Sequence, residues 1–212
     1  SLFFTVLAAG LFAQKQFVVD ANATARTLDK SFTAIKVSGG IDVYLSQSET
    51  EAVAVSASDE KYIPNIKTVV EDQTLKIYYE GEKWWGKNRK MTVYVSFINI
   101  EKIDASGASD ITIAGSMKGA ALKMILSGAS DFKGKVELTS LDMELSGASD
   151  VTISGTSINV LIESSGASDV KGYNLTADIC SAKASGASDI SITVNKELTA
   201  HASGASSILY HG

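Results

Sequence analysis

The chain has 212 residues, 45% of them apolar, and a net charge of −5, enough apolar material for a core and too much for a disordered chain. The acidic balance, with a pI near 5.1, argues against nucleic acid or an anionic membrane surface as a partner. Seventeen Gly against one Pro, with 8% aromatic residues, predict many tight corners and few bulky core side chains.

The first residues, "SLFFTVLAAGLFAQ", form an apolar run ending in small residues. It is too short to cross a bilayer and reads as the later part of a secretory signal peptide over residues 1–13, cleaved after Ala13. Export follows, to the periplasm, the cell surface or the medium. Residues 14–30 read as a linker, and a β-rich domain is predicted from residue 31 to 212.

In that domain "VSGGIDVYL" (37–45) reads as strand, glycine corner, strand, with Gly39 and Asp42 in the turn. Residues 47–103 are less regular but still read as strands: "AVAVSA", "KTVVED", "LKIYYE" and "MTVYVS". Further coils are expected there, with a short helical turn in "SDEKYIPN" and an inserted loop over 81–90, "GEKWWGKNRK".

From residue 104 the pentapeptide "SGASD" recurs, starting at Ser106, Ser127, Ser146, Ser165 and Ser185, with "SGASS" at Ser203. The spacings are 21, 19, 19, 20 and 18 residues, a period that signals a solenoid. Positions −1, −3 and −5 before Ser127, Ser146, Ser165, Ser185 and Ser203 are apolar or small, as in Leu126, Met124 and Leu122 or Ala184, Ala182 and Cys180. The residues between them are mostly polar, such as Lys123, Asp142, Glu144 and Lys183, so a strand with one buried face precedes each corner. Position +5 is apolar in every repeat (Ile111, Phe132, Val151, Val170, Ile190, Ile208), so a second strand follows. The predicted fold is therefore all-β, a right-handed parallel β-helix with coils of about 20 residues. Its corners are Gly39, Gly107, Gly128, Gly147, Gly166, Gly186 and Gly204, where only glycine combines φ > 0 with close stacking.

The corner aspartates Asp110, Asp131, Asp150, Asp169 and Asp189 fall on one line about 4.8 Å apart. At that spacing two carboxylates repel by roughly 1 kcal/mol in water and by roughly 3.5 kcal/mol at an effective dielectric near 20. Solvation and hydrogen bonds from corner N–H groups are expected to relieve this. Calcium sites converge more oxygens than one Asp and two Ser per turn, so no metal is expected. The lone Cys180 reads as a small buried filler.

One segment departs from the repeat chemistry. Trp84 and Trp85 lie beside Lys87 and Arg89 on the 81–90 loop, an aromatic and basic composition suited to a binding hot spot. A tryptophan plugging the side of the coil is the competing reading. No catalytic cluster is legible: Arg26 and Arg89 are far apart, and both histidines lie near residue 212.

The "F..I.VSGGIDVYL" opening and the tandem "SGASD..I.G" corners resemble the head GIN domain family of putative auto-transporter adhesins, over roughly Ser31 to Gly212. That resemblance implies a pectin-lyase-like β-helix and a role in cell adhesion. It supplies no catalytic residues. The expected function is non-catalytic binding of a glycan or protein at the cell surface, without a cofactor. A structural envelope protein and a carbohydrate-active enzyme are the alternatives.

Overall fold

The computed structural model describes residues 20, 22–81 and 90–212. The first strands are β1 (Thr24–Arg26), β2 (Ala34–Val37), β3 (Asp42–Gln47) and β4 (Ala52–Ala57). A 3-10 turn over Glu60–Asn65 follows, capped by the Asp59 carboxylate, which accepts from Lys61 N at 3.1 Å. Next come β5 (Ile66–Glu71), β6 (Thr74–Tyr79) and β7 (Met91–Phe97). The repeats supply β8 (Lys102–Ala105), β9 (Asp110–Ala114), β10 (Met117–Leu126) and β11 (Asp131–Leu145). They continue as β12 (Asp150–Ser164), β13 (Asp169–Ala184), β14 (Asp189–Ala202) and β15 (Ser207–His211).

These strands form one sheet wound into a β-solenoid. Equivalent positions of successive repeats sit side by side: Leu122 pairs with Leu141, Leu141 with Val160, Val160 with Cys180, and Cys180 with Leu198. A second parallel stack follows the corner, where Ile111 adjoins Phe132, Phe132 adjoins Val151, and Val170 adjoins Ile190. The −1, −3 and −5 residues before Ser127, Ser146, Ser165 and Ser185 are buried, as are Ile111, Phe132, Val151, Val170 and Ile190 at +5. Alternation in sequence thus becomes an interior filled by one phase of every strand. The filling tapers along the axis, from Leu141, Met143 and Leu145 to Cys180, Ala182 and Ala184.

Residues 47–103 do not continue the coils in chain order. β6 lies parallel to β2 and β7 parallel to β3, so these two strands lie on the far side of the β2–β3 rung. The chain then returns to the other side of that rung, where β8 pairs with β2 and β9 with β3. β4 and β5 run antiparallel to β7 and β6, and β1 antiparallel to β4. The β5–β6 hairpin turns at Asp72 and Gln73, both at positive φ (48° and 57°), as a two-residue hairpin turn requires.

Candidate binding surface

The corners determine what the solenoid displays. In each pentapeptide the glycine has φ between +79° and +85°. Its carbonyl accepts the N–H of the alanine one rung on: Ala148 N to Gly128 O and Ala167 N to Gly147 O, each at 2.7 Å. The second serine of the motif points inward and is fully buried at Ser109, Ser130, Ser149, Ser168 and Ser188. Its hydroxyl donates across its own turn, from Ser109 Oγ to Ser106 O (3.1 Å), Ser130 to Ser127 O (3.0 Å) and Ser149 to Ser146 O (3.1 Å). The same hydroxyl also accepts a backbone N–H from the preceding rung, from Ser149 N to Ser168 Oγ at 3.2 Å. Phase is the sequence signal for the inward serine: it lies two residues before the buried +5 position, hence on the same face.

The corner aspartates stand in register, Asp110 beside Asp131 and Asp150 beside Asp169 beside Asp189, with Asp42 next to Asp110. Their repulsion is met by neighbours. Asp131 Oδ1 accepts from Asp150 N and Asp169 Oδ1 from Asp189 N, both at 3.3 Å. Lys171 Nζ reaches Asp150 Oδ2 at 3.1 Å. At the other end of the row, burial and then the charges of Asp42 and Asp131 push the Asp110 carboxyl above its ordinary pKa. Asp42 is also raised by burial, with Lys90 pulling it back. Among the described residues no group of three His, Cys, Asp or Glu side chains converges on a metal-sized site.

The raised pKa sets the sign of a prediction. Folded Asp110 holds its proton more tightly than the unfolded chain does, so its contribution is fully present at low pH. It is lost as pH rises from the ordinary carboxylate range through the raised value. Asp110→Asn is therefore expected to stabilise the fold at pH 7, by less than about 1 kcal/mol because an exposed charge is screened. The gain should vanish below pH 3, and parallel melts at the two pH values check it.

Two shallow grooves flank the corner ridge. One, of about 560 Å³, lies before the corner and is lined by Glu144, Glu163, Lys183 and His201 beside the motif serines. Lys183 and Glu163 are paired across it at 2.9 Å. The other, of about 300 Å³, lies after the corner among Asp110, Asp131, Asp150, Lys133 and Lys171. Further along that face Tyr44 and Tyr94 stack at 5.6 Å. Both grooves are open and polar, able to hydrogen-bond a ligand along the axis without enclosing one.

The predicted hot-spot residues Trp84, Trp85, Lys87 and Arg89 lie outside the described residues. Their attachment points are described. β6 ends at Tyr79 and β7 begins at Met91, and the two stack on β2 and β3, which are separated by residues 38–41 alone. His201 is exposed on the outward phase, and Arg26 ties the first strand to the 3-10 turn by donating from Nη2 to Ile63 O at 2.6 Å. Cys180 is buried, and burial pushes its thiol up to about 11, leaving no thiolate at neutral pH.

A tapering solenoid with stacked glycine corners and flanking polar grooves defines a non-globular repeat scaffold. The profile of the family described as "Putative auto-transporter adhesin, head GIN domain" matches residues 31–212, and the chain belongs to that family. Solved structures share the fold. A putative adhesin from Bacteroides fragilis is 18% identical at a TM-score of 0.77, covering 90% of this chain and 98% of that one. A putative adhesin from Parabacteroides merdae is 16% identical at a TM-score of 0.69, covering 91% and 98%. A putative lipid binding protein from Parabacteroides distasonis is 18% identical at a TM-score of 0.62, again covering 91% and 98%. No curated protein sequence matches the chain.

Proposed function

We propose that the chain is an exported, non-catalytic binding protein of adhesin type, and that it meets its glycan or protein partner through the 81–90 loop. One observation carries this reading. Eleven residues, 80–90, separate β6 from β7, whereas four residues, 38–41, separate β2 from β3, the strands on which they stack. The scaffold does not need eleven residues to turn there. What the longer segment adds is Trp84 and Trp85 beside Lys87 and Arg89, large aromatic area next to donors. Loops mounted on rigid scaffolds are where binding residues concentrate. The family membership and the apolar run over residues 1–13 agree with export.

Binding of the wild-type chain and of Trp84→Ala/Trp85→Ala to a glycan array and to whole cells tests this. The variant is expected to lose at least tenfold in affinity while melting within a few degrees of wild type, the loss of two hot-spot anchors. Unchanged binding would move the contact surface to the grooves, and unfolding would make the tryptophans part of the core. Recovery of the native protein only from the cytoplasm would remove the export half of the reading.

A further inference from the structure

Along the face after the corner, one outward position of every rung lies in a single row. Pairing in register places Tyr44 beside Thr112, Thr112 beside Lys133, Lys133 beside Thr152, Thr152 beside Lys171, and Lys171 beside Ser191. Long and short side chains therefore alternate, and the row is notched at Thr112, Thr152 and Ser191. Rungs are about 4.8 Å apart, so the notches recur every two rungs, or about 9.6 Å. The polar groove of about 300 Å³ follows this row from Thr112 to Lys171, with Asp110, Asp131 and Asp150 beside it. At the Thr112 end stands Tyr44, stacked on Tyr94.

We propose that this row is a track for a linear, uncharged polysaccharide lying along the solenoid axis, of the kind whose successive sugars face opposite ways, as in cellulose, chitin and mannan. The proposal rests on the reading of the chain as a binding protein and is independent of the 81–90 loop. Period selects the ligand first. In such a chain every second sugar presents the same edge, and one extended two-sugar repeat is close in length to the two-rung repeat of the notches. A sugar seated at Thr112 therefore places its second neighbour at Thr152. The groove is open along its length, so it suits the side of an extended chain and would not enclose a small molecule.

Polarity selects it next. Sugar hydroxyls both donate and accept, and the groove offers both kinds of partner. Among the described residues no donor bonds the Asp110 carboxylate, and Lys133 has no ion-pair partner. Lys171 is taken up by Asp150 at 3.1 Å. Charge then excludes the anionic polysaccharides. Asp110, Asp131 and Asp150 face Lys133 and Lys171, and one of the two ammonium groups is already paired, so the groove repels a polyanion. The strands that carry these groups are fixed in the sheet, so little ordering opposes binding.

Calorimetric titration of the full chain with cello-, chito- and manno-oligosaccharides of two, four and six sugars tests this. Affinity for at least one series is expected to rise about tenfold or more from the shortest to the longest, as further notches are engaged. Oligogalacturonate of the same length should not bind. Thr112→Arg/Thr152→Arg fills two notches and should weaken hexasaccharide binding about tenfold or more at an unchanged melting point. Backbone amide shifts of the wild type, expected first at Thr112, Lys133, Thr152 and Lys171, decide the matter should that variant fail to fold. Trp84→Ala/Trp85→Ala should bind the hexasaccharide as the wild type does. Absence of binding and of shifts with all three series overturns the proposal and leaves the loop reading to its own array test. Equal binding of oligogalacturonate, a notch variant that binds like wild type, or loss of binding in the tryptophan variant alone overturns it as well.

Discussion

Gly147→Val is expected to destabilise the protein by about 2–6 kcal/mol, the sum of a strained positive φ and an overpacked contact. Gly147 sits at φ +80°, and a Cβ there would lie 2.5 Å from Gly128 O and 3.0 Å from Gly128 N. The neighbour cannot yield, because Gly128 O is held by Ala148 N at 2.7 Å and Gly147 O in turn by Ala167 N. A shift in one corner would propagate to the corners on both sides. Gly115 supplies the control. It has a similar φ of +82°, but a Cβ there meets nothing within 4 Å. Gly115→Ala should cost only the backbone strain, about 1–3 kcal/mol. Denaturant melts of the two variants separate stacking from conformation, and equal losses would show that stacking contributes nothing.

Phe132→Ala is expected to cost about 3–5 kcal/mol, the upper range for a buried side chain truncated in a well-packed core. Phe132 is 2% exposed and is the only aromatic residue at the +5 position among the repeats. Its ring occupies space left by Gly134, where an added Cβ would lie 3.1 Å from Phe132 Cζ and 3.0 Å from Ile113 Cβ. Loss of the ring therefore leaves a cavity that Gly134 has no side chain to fill. Phe132→Leu, which keeps most of the volume, should lose less than half as much in the same melts.

The repeat half of the molecule was readable because each rung pairs with the rung one period away. The pentapeptide spacing therefore gives the pairing partners, and the −1, −3, −5 phase gives the buried face. Residues 47–103 were not readable in this way. "AVAVSA" and "MTVYVS" both alternate, and alternation does not distinguish an antiparallel partner from a parallel one. β4 took the first kind and β7 took both, pairing with β3 and β4. No local signal announces that β6 and β7 stack on the far side of a rung made earlier in the chain. That placement depends on which rung still has a free edge.

The surface shows the same division. The aspartate row was legible as a row, but its hydrogen bonding through Asp150 N and Asp189 N depends on backbone direction at the corner. Gly155 lies outside the pentapeptide, so the repeat does not mark it. Yet it sits at φ +110° with its missing Cβ directed at Val136 O, a corner of another kind.

Central to this account is the claim that the pentapeptide turns are part of the interlocked backbone and do not behave as surface loops. Amide hydrogen exchange reads this directly at Ala129, Ala148, Ala167, Ala187 and Ala205. Each donates its N–H to the glycine carbonyl one rung back, at 2.7–2.8 Å. Ala148 and Ala167 are exposed to solvent, and an ordinary turn amide so placed exchanges through low-energy local opening. Ala148 and Ala167 are expected to exchange as slowly as core amides such as Met143 and Ile162, opening only when the solenoid unfolds. Exchange at these alanines orders of magnitude faster than at Met143 would contradict it.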